Sequence, residues 1–330
     1  MKRILSTAAL AATASGLLTL TNAPALAQGA GDFHNRPMRF VVGYPPGGAT
    51  DIIARIVGQK VGDSTGQNVL IDNRPGAGGI LGTEIVAKAT PDGYSFVLVT
   101  TSHGINPSLY PKLPYDSVKD FTPISQIATL QQVLVVSPSL GVSTLKELIA
   151  LAKAQPGKLN FASSGSGQAL HLSGELLKSM AGINIVHIPY KGSAPAITDL
   201  LGGQTQQLTF GTVGAVSPHI KSGRLRALAV TSAQPSVLVP GLPTVAASGL
   251  PGYEAGAIYV MFAPAKTPAA IINRVNQDTQ RVLRQPDIRE KFLASGVEVA
   301  GGSPEDLAAT VKSEMAKLGK VIREAHIRAE

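Results

Sequence analysis

The chain has 330 residues, a formal net charge of +8 and no cysteine. The lack of cysteine excludes disulfides, thiolate chemistry and lipid attachment through an N-terminal cysteine. Nucleic-acid binding is not expected, because the basic residues are scattered singly and aromatic residues make up only 5% of the chain. A positive surface of this kind favours small anionic partners instead.

The first 27 residues have the pattern of a secretory signal peptide. Lys2 and Arg3 begin it, an apolar stretch follows at 4–20, and small residues at 25–27 form a cleavage pattern. We expect the mature protein to begin near Gln28 and to be soluble in the periplasm. No later segment has the roughly 18 apolar residues that a membrane-spanning helix needs.

Short apolar runs alternate with helix-period segments along most of the chain. Strands are predicted at residues 39–44, 68–72, 95–100, 159–163, 185–189 and 227–231. Helices are predicted at residues 51–62, 80–89, 145–154, 169–181 and 196–201. The alternation predicts an α/β fold in which helices flank mostly parallel sheets.

The chain is longer than one hydrophobic core usually holds, so two domains are expected. Domain 1 is predicted to comprise residues 28–130 and 252–330, and domain 2 residues 131–251. The amphipathic helices predicted at residues 268–283 and 304–325 should wrap domain 1. A chain that leaves its first domain and later returns makes two crossings, which is the arrangement of a hinge.

Three glycine-containing loops join a predicted strand to the start of a predicted helix. Their sequences are GYPPGGATD at residues 43–51, SSGSG at 163–167 and YKGSAP at 190–195. A helix N-terminus presents unpaired N–H groups and a partial positive charge, which attract anions. Ligands of open parallel sheets bind beyond the carboxyl ends of the strands. Ordinary turn chemistry explains any single loop, but three of one type predict a shared binding cleft.

The other motifs give weaker evidence of a functional site. The loop NRPGAGG at residues 73–79 matches neither a dinucleotide fingerprint nor a Walker A motif. Its glycines are expected to serve a turn and close packing, and ligand contact is the less favoured alternative. No histidine pair has the spacing of metal ligands, and neither a metal nor a cofactor is predicted. His171 is more typical of a hydrogen-bonded structural histidine than of a base, although it lies close enough to the second loop to line the cleft.

Two short motifs resemble those of penicillin-recognising serine enzymes. They are STLK at residues 143–146 and KSG at 221–223. No third element of that site is found, and Thr144 with Glu147 matches a helix capping box. A serine acyl-transfer enzyme is therefore the least favoured alternative.

Seven segments together resemble the Bug family, the extracytoplasmic receptors of tripartite tricarboxylate transporters. They are GYPPGGATDIIAR, GQNVLIDNRPGAGG, ATPDGYSF, INPSLYPKLPYDSVKDF, HIPYKGSAPAITDLLGG, GRLRALAV and LPTVAASGLPGYE. They lie in order within residues 37–327. The resemblance implies a two-domain Venus-flytrap fold of the type II periplasmic binding protein class. It also implies capture of a small carboxylate, such as a di- or tricarboxylate, an acidic amino acid or an aromatic acid.

The resemblance further implies that two loops grip the carboxylate through backbone N–H groups and ordered water. With the second glycine loop included, the predicted ligand-binding residues are Tyr44, Pro45, Pro46, Gly47, Gly48, Ala49, Asp51, Ser164, Gly165, Ser166, Gly167, His171, Tyr190, Lys191, Gly192, Ser193 and Ala194. Asp51 is open to two interpretations, a helix cap or a ligand contact. Tyr259 stands where relatives often have tryptophan, a change that bears on pocket shape.

The predicted protein is a monomeric receptor without enzymatic activity, which delivers its ligand to the membrane permease subunits of a tripartite transporter. The alternative is a periplasmic protein that presents its ligand to a sensor kinase. The sequence does not identify which carboxylate is bound, because the three loops contain a single basic side chain, Lys191. Selectivity through backbone geometry and water leaves no pattern in the sequence.

Overall fold

The computed structural model describes residues 35–203 and 207–328, so the predicted signal peptide at 1–27 lies outside the described residues. The strands are β1 (Met38–Val42), β2 (Val69–Asn73), β3 (Ser95–Thr100), β4 (Phe121–Leu130), β5 (Gln132–Val136), β6 (Asn160–Ser163), β7 (Val186–Pro189), β8 (Leu208–Thr212), β9 (Arg226–Val230), β10 (Ala257–Pro264) and β11 (Glu298–Val299). The helices are α1 (Ala49–Thr65), α2 (Ile80–Ala87), α3 (Ser102–Leu109), α4 (Leu145–Ala154), α5 (Ala169–Ala181), α6 (Ser193–Gly202), α7 (Val213–Lys221), α8 (Ala269–Leu283), α9 (Pro286–Ala294) and α10 (Pro304–Glu324). Within these ranges no helix combines the length and the apolar character needed to cross a membrane.

The first sheet has six strands in the order β11-β4-β10-β3-β1-β2. Successive side chains of a strand point to opposite faces, and β1 shows this directly. Phe40 and Val42 pack in a cluster with α1, α8 and α9, whereas Val41 packs in a second cluster with α2 and α10. Because both faces are covered, β1 is a continuous apolar run rather than an alternating one.

The second sheet has five strands in the order β7-β6-β8-β5-β9 and is covered in the same way. On β5, Leu134 and Val136 pack with α4 and α5, while Val133 and Val135 pack with α6 and α7. Thr144 caps α4, since its side chain accepts from the backbone of Glu147 and the Glu147 carboxylate accepts from the backbone of Thr144. The capping box is confirmed.

The chain passes between the two sheets twice. Gln131 alone separates β4 of the first sheet from β5 of the second, and the return runs through residues 231–256 into β10. The two crossings meet in the first sheet, because Ala257 at the start of β10 pairs with Leu130 at the end of β4. Helix α10 connects both halves, since Leu318 and Ile322 pack in one cluster with Ile105 of α3 and Leu172 of α5.

The two-domain α/β fold is confirmed, but the sheets are mixed rather than mostly parallel. Strand β1 pairs in parallel with β2 and β3, and β6 pairs in parallel with β7 and β8. Strands β10, β4 and β5 make antiparallel pairs, because they carry the chain out of one sheet and back again. The exact domain limits stay a prediction.

We expect Gly174→Ala to destabilise the fold although alanine is the better helix former. A Cβ at Gly174, inside α5, would lie 2.1 Å from Cε2 of Phe161. Overpacking of this kind costs about 1–3 kcal/mol. The matched control is Gly214→Ala in α7, where a Cβ meets nothing within 4 Å, and where alanine should stabilise by about 0.5–1 kcal/mol. Urea unfolding of both variants measures the difference, and equal effects would contradict this packing.

Candidate functional site

A cavity of about 510 Å³ lies between the two domains, at the ends of strands from both sheets. The residues of the three predicted loops that line it are Tyr44, Ser164, Gly165, Ser166, Gly167, Tyr190 and Lys191. The structure therefore brings members of all three loops to one space. Ligand contact by these residues stays a prediction.

The remaining predicted residues lie beside the cavity rather than on its wall. Pro45 to Gly48 are exposed, Ala49 begins α1, and Gly192, Ser193 and Ala194 form the start of α6. His171 is buried on α5, next to the second loop. Tyr259 is likewise buried, in the cluster against which Tyr44 packs, and is not part of the lining.

Sequence reasoning missed a large part of the wall. Helix α3 and the end of β3 are its main source, and the additional lining residues are Gly78, Thr100, Thr101, Ser102, Ile105, Asn106, Leu109, Tyr110, Gln168, Ala169 and Ala257. Pro107 lies inside α3 and weakens its helical pattern. The signal that could have found it is position, because β3 is another strand that runs directly into a helix.

Asp51 shapes the first loop from within. Its side chain is 3% exposed, and it accepts from the backbone N–H of Gly47 at 2.9 Å, Asn73 Nδ2 at 3.0 Å and Arg55 Nε at 3.0 Å. The N-cap of α1 is Gly48, so Asp51 lies in the first turn and reaches back to the loop. With both carboxylate oxygens engaged, Asp51 holds the loop closed.

These contacts also decide the charge of Asp51. Burial acts to raise the pKa of its carboxyl, but the hydrogen bonds from Arg55, Gly47 and Asn73 outweigh burial. The pKa therefore lies below the ordinary value of 3.8. Asn73 additionally donates to the carbonyl of Tyr44 at 3.1 Å, which ties the loop to the end of β2.

Some backbone amides of the first loop are committed, meaning that they donate to a protein acceptor, and others are open, meaning that they have no such partner. The Gly47 N–H is committed to Asp51. Within the part of the chain that the structure describes, the N–H groups of Gly48 and Ala49 have no hydrogen-bond partner. Open amides at a helix N-terminus are donors that an anion can use without displacing a protein group.

The second loop divides its amides in the same way. Gly165 donates to Ser163 Oγ at 3.1 Å, and Gly167 donates to His171 Nδ1 at 2.9 Å. In the described residues the N–H groups of Ser164 and Ser166 have no partner. Gly165 and Gly167 have φ angles of +137° and +73°, so committed amides alternate with open ones along a backbone that only glycine adopts readily. Such an arrangement is typical of an anion-binding concavity.

Tyr44 is the polar centre of the domain 1 wall. Its hydroxyl hydrogen-bonds with Thr100 Oγ1 at 2.7 Å and Ser102 Oγ at 2.5 Å. Burial raises the pKa of Tyr44 even though these two hydrogen bonds oppose the shift, so the phenol stays protonated. Its one O–H donates to a single hydroxyl at a time, and the three groups together form an orientable set of donors on the cavity wall.

The charge of the cavity lining is low and positive. Lys191 is the one cationic side chain among the lining residues, and no carboxylate is among them. Tyr190 is half-buried, and its hydroxyl donates to Asp199 of α6. Burial, together with this contact to Asp199, raises the pKa of Tyr190 to about 12. The site therefore offers neutral donors and one cation to an anionic group.

Comparison of the sequence with protein families gives a match over residues 53–327 to the family described as tripartite tricarboxylate transporter family receptor. A UPF0065 protein from the tcbD-tcbE intergenic region of Pseudomonas sp. (strain P51) is 40% identical over 94% of this chain and 93% of its own length. Protein BugT of Bordetella pertussis is 37% identical over 94% of this chain and 95% of its own length.

Two solved structures are similar to this chain in sequence and in fold. R. palustris Rpa4515 with adipate is 36% identical, covers 90% of this chain and 99% of its own chain, and superposes with a TM-score of 0.72. MatC from Rhodopseudomonas palustris with bound malate is 30% identical, covers 87% of this chain and 99% of its own, and has a TM-score of 0.68.

We expect Asp51→Asn to destabilise the protein by about 1–3 kcal/mol at pH 7, since hydrogen bonds to a charged acceptor are lost. The control is Asp63→Asn, an exposed change in the same helix, with an expected effect within about 0.5 kcal/mol.

The pH dependence has a defined sign. Because the folded pKa of Asp51 lies below 3.8, its contribution is complete above pH about 4 and is lost as the pH falls through the folded pKa. The free energy of unfolding of wild type and Asp51→Asn should therefore converge in acid. A difference that stays constant from pH 6 to pH 3 would show that the carboxylate does not hold the loop.

Proposed function

The chain belongs to the tripartite tricarboxylate transporter receptor family, and we propose that it captures a small carboxylate in the cavity between its two domains. As a member of this family it is a substrate-binding receptor and not an enzyme. One observation carries the proposal. Open amides lie in loops beside a cavity whose lining contains one cation and no carboxylate. Adipate and malate, which related proteins bind in their structures, are the chemical class that such a site suits.

The proposed grip on the carboxylate comes mainly from the backbone. Gly48 and Ala49 would donate from domain 1, and Ser164 and Ser166 from domain 2, with Lys191 as an auxiliary charge. One helix N-terminus contributes about 0.3–1 kcal/mol when exposed and up to ~2 kcal/mol when partly buried. A micromolar affinity corresponds to about −8 kcal/mol, so direct hydrogen bonds and apolar contact must supply the rest.

Closure of the two domains would bring these groups together. The loop at residues 44–49 lies in the proposed domain 1 (28–130 and 252–330), and the loops at 164–167 and 190–194 lie in the proposed domain 2 (131–251). Several of the predicted residues lie beside the cavity wall in this structure, and a hinge motion at Gln131 and the return crossing would move them toward the ligand. Tyr44, Ile105 and Leu109 would supply apolar contact for the rest of the ligand.

Membership of the receptor family supports a proposal for the partners and the location of this protein. We propose that the mature receptor is a periplasmic monomer released by removal of residues 1–27, and that it delivers its ligand to the membrane permease subunits of a tripartite transporter. Family membership supports this assignment.

Titration calorimetry with adipate, malate, citrate, glutamate and benzoate tests the ligand class. We expect at least one of these acids to bind with a dissociation constant near or below the micromolar range, because a carboxylate matches the open amides. The diamide of adipate is the control, since it has the same length and no charge, and it should not bind. Binding of the diamide as tightly as adipate, or binding of none of the acids, would contradict the proposal.

A pair of variants separates a backbone grip from a salt bridge. Gly48 has a φ of −77°, and a Cβ there would lie 3.5 Å from the carbonyl oxygen of Pro45, which is an ordinary contact distance, so the Cβ of valine causes no clash. We expect Gly48→Val to weaken binding of the preferred acid at least about tenfold, or about 1.4 kcal/mol, because its branches cover the open amides. Lys191→Ala should cause a smaller loss.

Gly202→Val at the end of α6 is the control for the valine substitution, because a Cβ there meets nothing within 4 Å. Its affinity and melting temperature should match those of wild type. If Lys191→Ala abolished binding while Gly48→Val retained it, a side-chain salt bridge would replace the backbone grip.

A further inference from the structure

A stacked pair of histidines lies next to the second loop. The rings of His171 in α5 and His187 in β7 are 3.7 Å apart between centroids and 9° from parallel. Phe161 packs beside both rings, at 6.2 Å from His171 and 4.9 Å from His187. Neither histidine lines the cavity, so ligand contact does not account for them.

Each committed amide of the loop is connected by hydrogen bonds to one of these histidines, either directly or through one side chain. Gly167 donates directly to His171 Nδ1 at 2.9 Å. Gly165 donates to Ser163 Oγ at 3.1 Å, and Ser163 Oγ in turn hydrogen-bonds with His187 Nε2 at 2.6 Å. The pair therefore holds both glycines of the loop, and the amides between them remain open.

The hydrogen bond from Gly167 fixes the state of His171. An N–H can donate to Nδ1 only if that nitrogen carries no proton, so the neutral ring has its hydrogen on Nε2. Nε2 lies 3.6 Å from Glu175 Oε1, on the side opposite the loop. A proton added at Nδ1 would place two N–H groups against each other at the distance of the present hydrogen bond, and the loop would have to move.

The surroundings of His187 favour its neutral ring. Burial, followed by the influence of His171, lowers the pKa of His187 to about 4. The charged groups that face the pair are Glu175, which is buried, and Lys178, which pairs with Glu175 at 2.7 Å. Glu175 Oε1 lies 3.6 Å from His171 Nε2 and 2.7 Å from Lys178 Nζ, so one carboxylate is shared between the two groups.

We propose that His171, stacked on His187, is a positioning residue that selects which amides of the loop at residues 164–167 face the ligand. The inference rests on the proposed function. It assigns no ligand contact to His171: the imidazole acts through Gly167, whose N–H it accepts at Nδ1. Removal of this acceptor is expected to lower the affinity of the loop for a carboxylate. The sequence letters carry no sign of this, since the contact runs from a side chain to a backbone amide.

Two substitutions separate positioning from titration. In His171→Asn the Oδ1 atom has the same bond count from Cβ as Nδ1, so it can accept from Gly167 but cannot take up a proton at neutral or mildly acidic pH. In His171→Leu no acceptor remains. At pH 7 we expect the adipate dissociation constant of His171→Asn to stay within about threefold of wild type and that of His171→Leu to rise at least about tenfold.

The pH profile distinguishes a positioning role from a merely structural one. A proton at Nδ1 of His171 would remove the acceptor for the Gly167 N–H, so wild type should lose more affinity for adipate in acid than His171→Asn. The loss in His171→Asn should follow only the ionisation of adipate itself. Identical profiles for wild type and His171→Asn would overturn the proposal.

Nuclear magnetic resonance of the ligand-free, ¹⁵N-labelled protein tests the same device without any ligand. A through-hydrogen-bond ¹⁵N–¹⁵N coupling between Gly167 and His171 Nδ1 should be present at pH 7 and vanish in acid, and the amide signals of Ser164 and Ser166 should shift with it. In His171→Asn these two signals should not shift. Absence of the coupling at pH 7, or unmoved amide signals in wild type, would refute the proposal even if adipate binds. If the coupling and shifts are present but no acid binds, the ligand class fails and the positioning role stands.

Discussion

The number of backbone amides left without a protein partner is the constraint on which the site depends. A buried or half-buried N–H must find an acceptor, and each loop meets this demand only in part. Asp51 takes the amide of Gly47, and His171 takes that of Gly167. The neighbouring amides stay open in the described structure. Asp51 and His171 thus determine which amides are hydrogen-bonded within the protein and which remain available to the proposed anionic ligand.

The low charge of the cavity lining affects how the cavity would recognise an anion. Long-range attraction between charges mainly speeds the encounter with a charged partner. Lys191 is the single cation on the wall, and the hydroxyls of Tyr44, Thr100 and Ser102 supply neutral donors. In the proposed site, geometry rather than net charge would therefore set which anion fits.

The sequence predicted those parts of the fold that depend on the local pattern of residues. The loops at residues 44–49 and 163–167 were identifiable because glycine and proline mark a strand that runs into a helix. Strands β4 and β10 were missed, since Pro123, Ser125 and Gln126 interrupt any alternation in β4, and antiparallel pairing is set by distant chain. The role of His171 was also out of reach, because one side chain that accepts from one amide leaves no spacing or composition to detect.

The pairing of Leu130 with Ala257 has a consequence for how the molecule assembles. Completing the first sheet requires two strands that are separated by the whole of the inserted domain, and the entropy lost in closing such a loop grows with the length of flexible chain inside it. Once the inserted domain is folded, its two ends are held close together, and the flexible length is reduced to the short crossings. We therefore expect a folded inner domain to reduce the chain entropy that is lost when the outer domain forms.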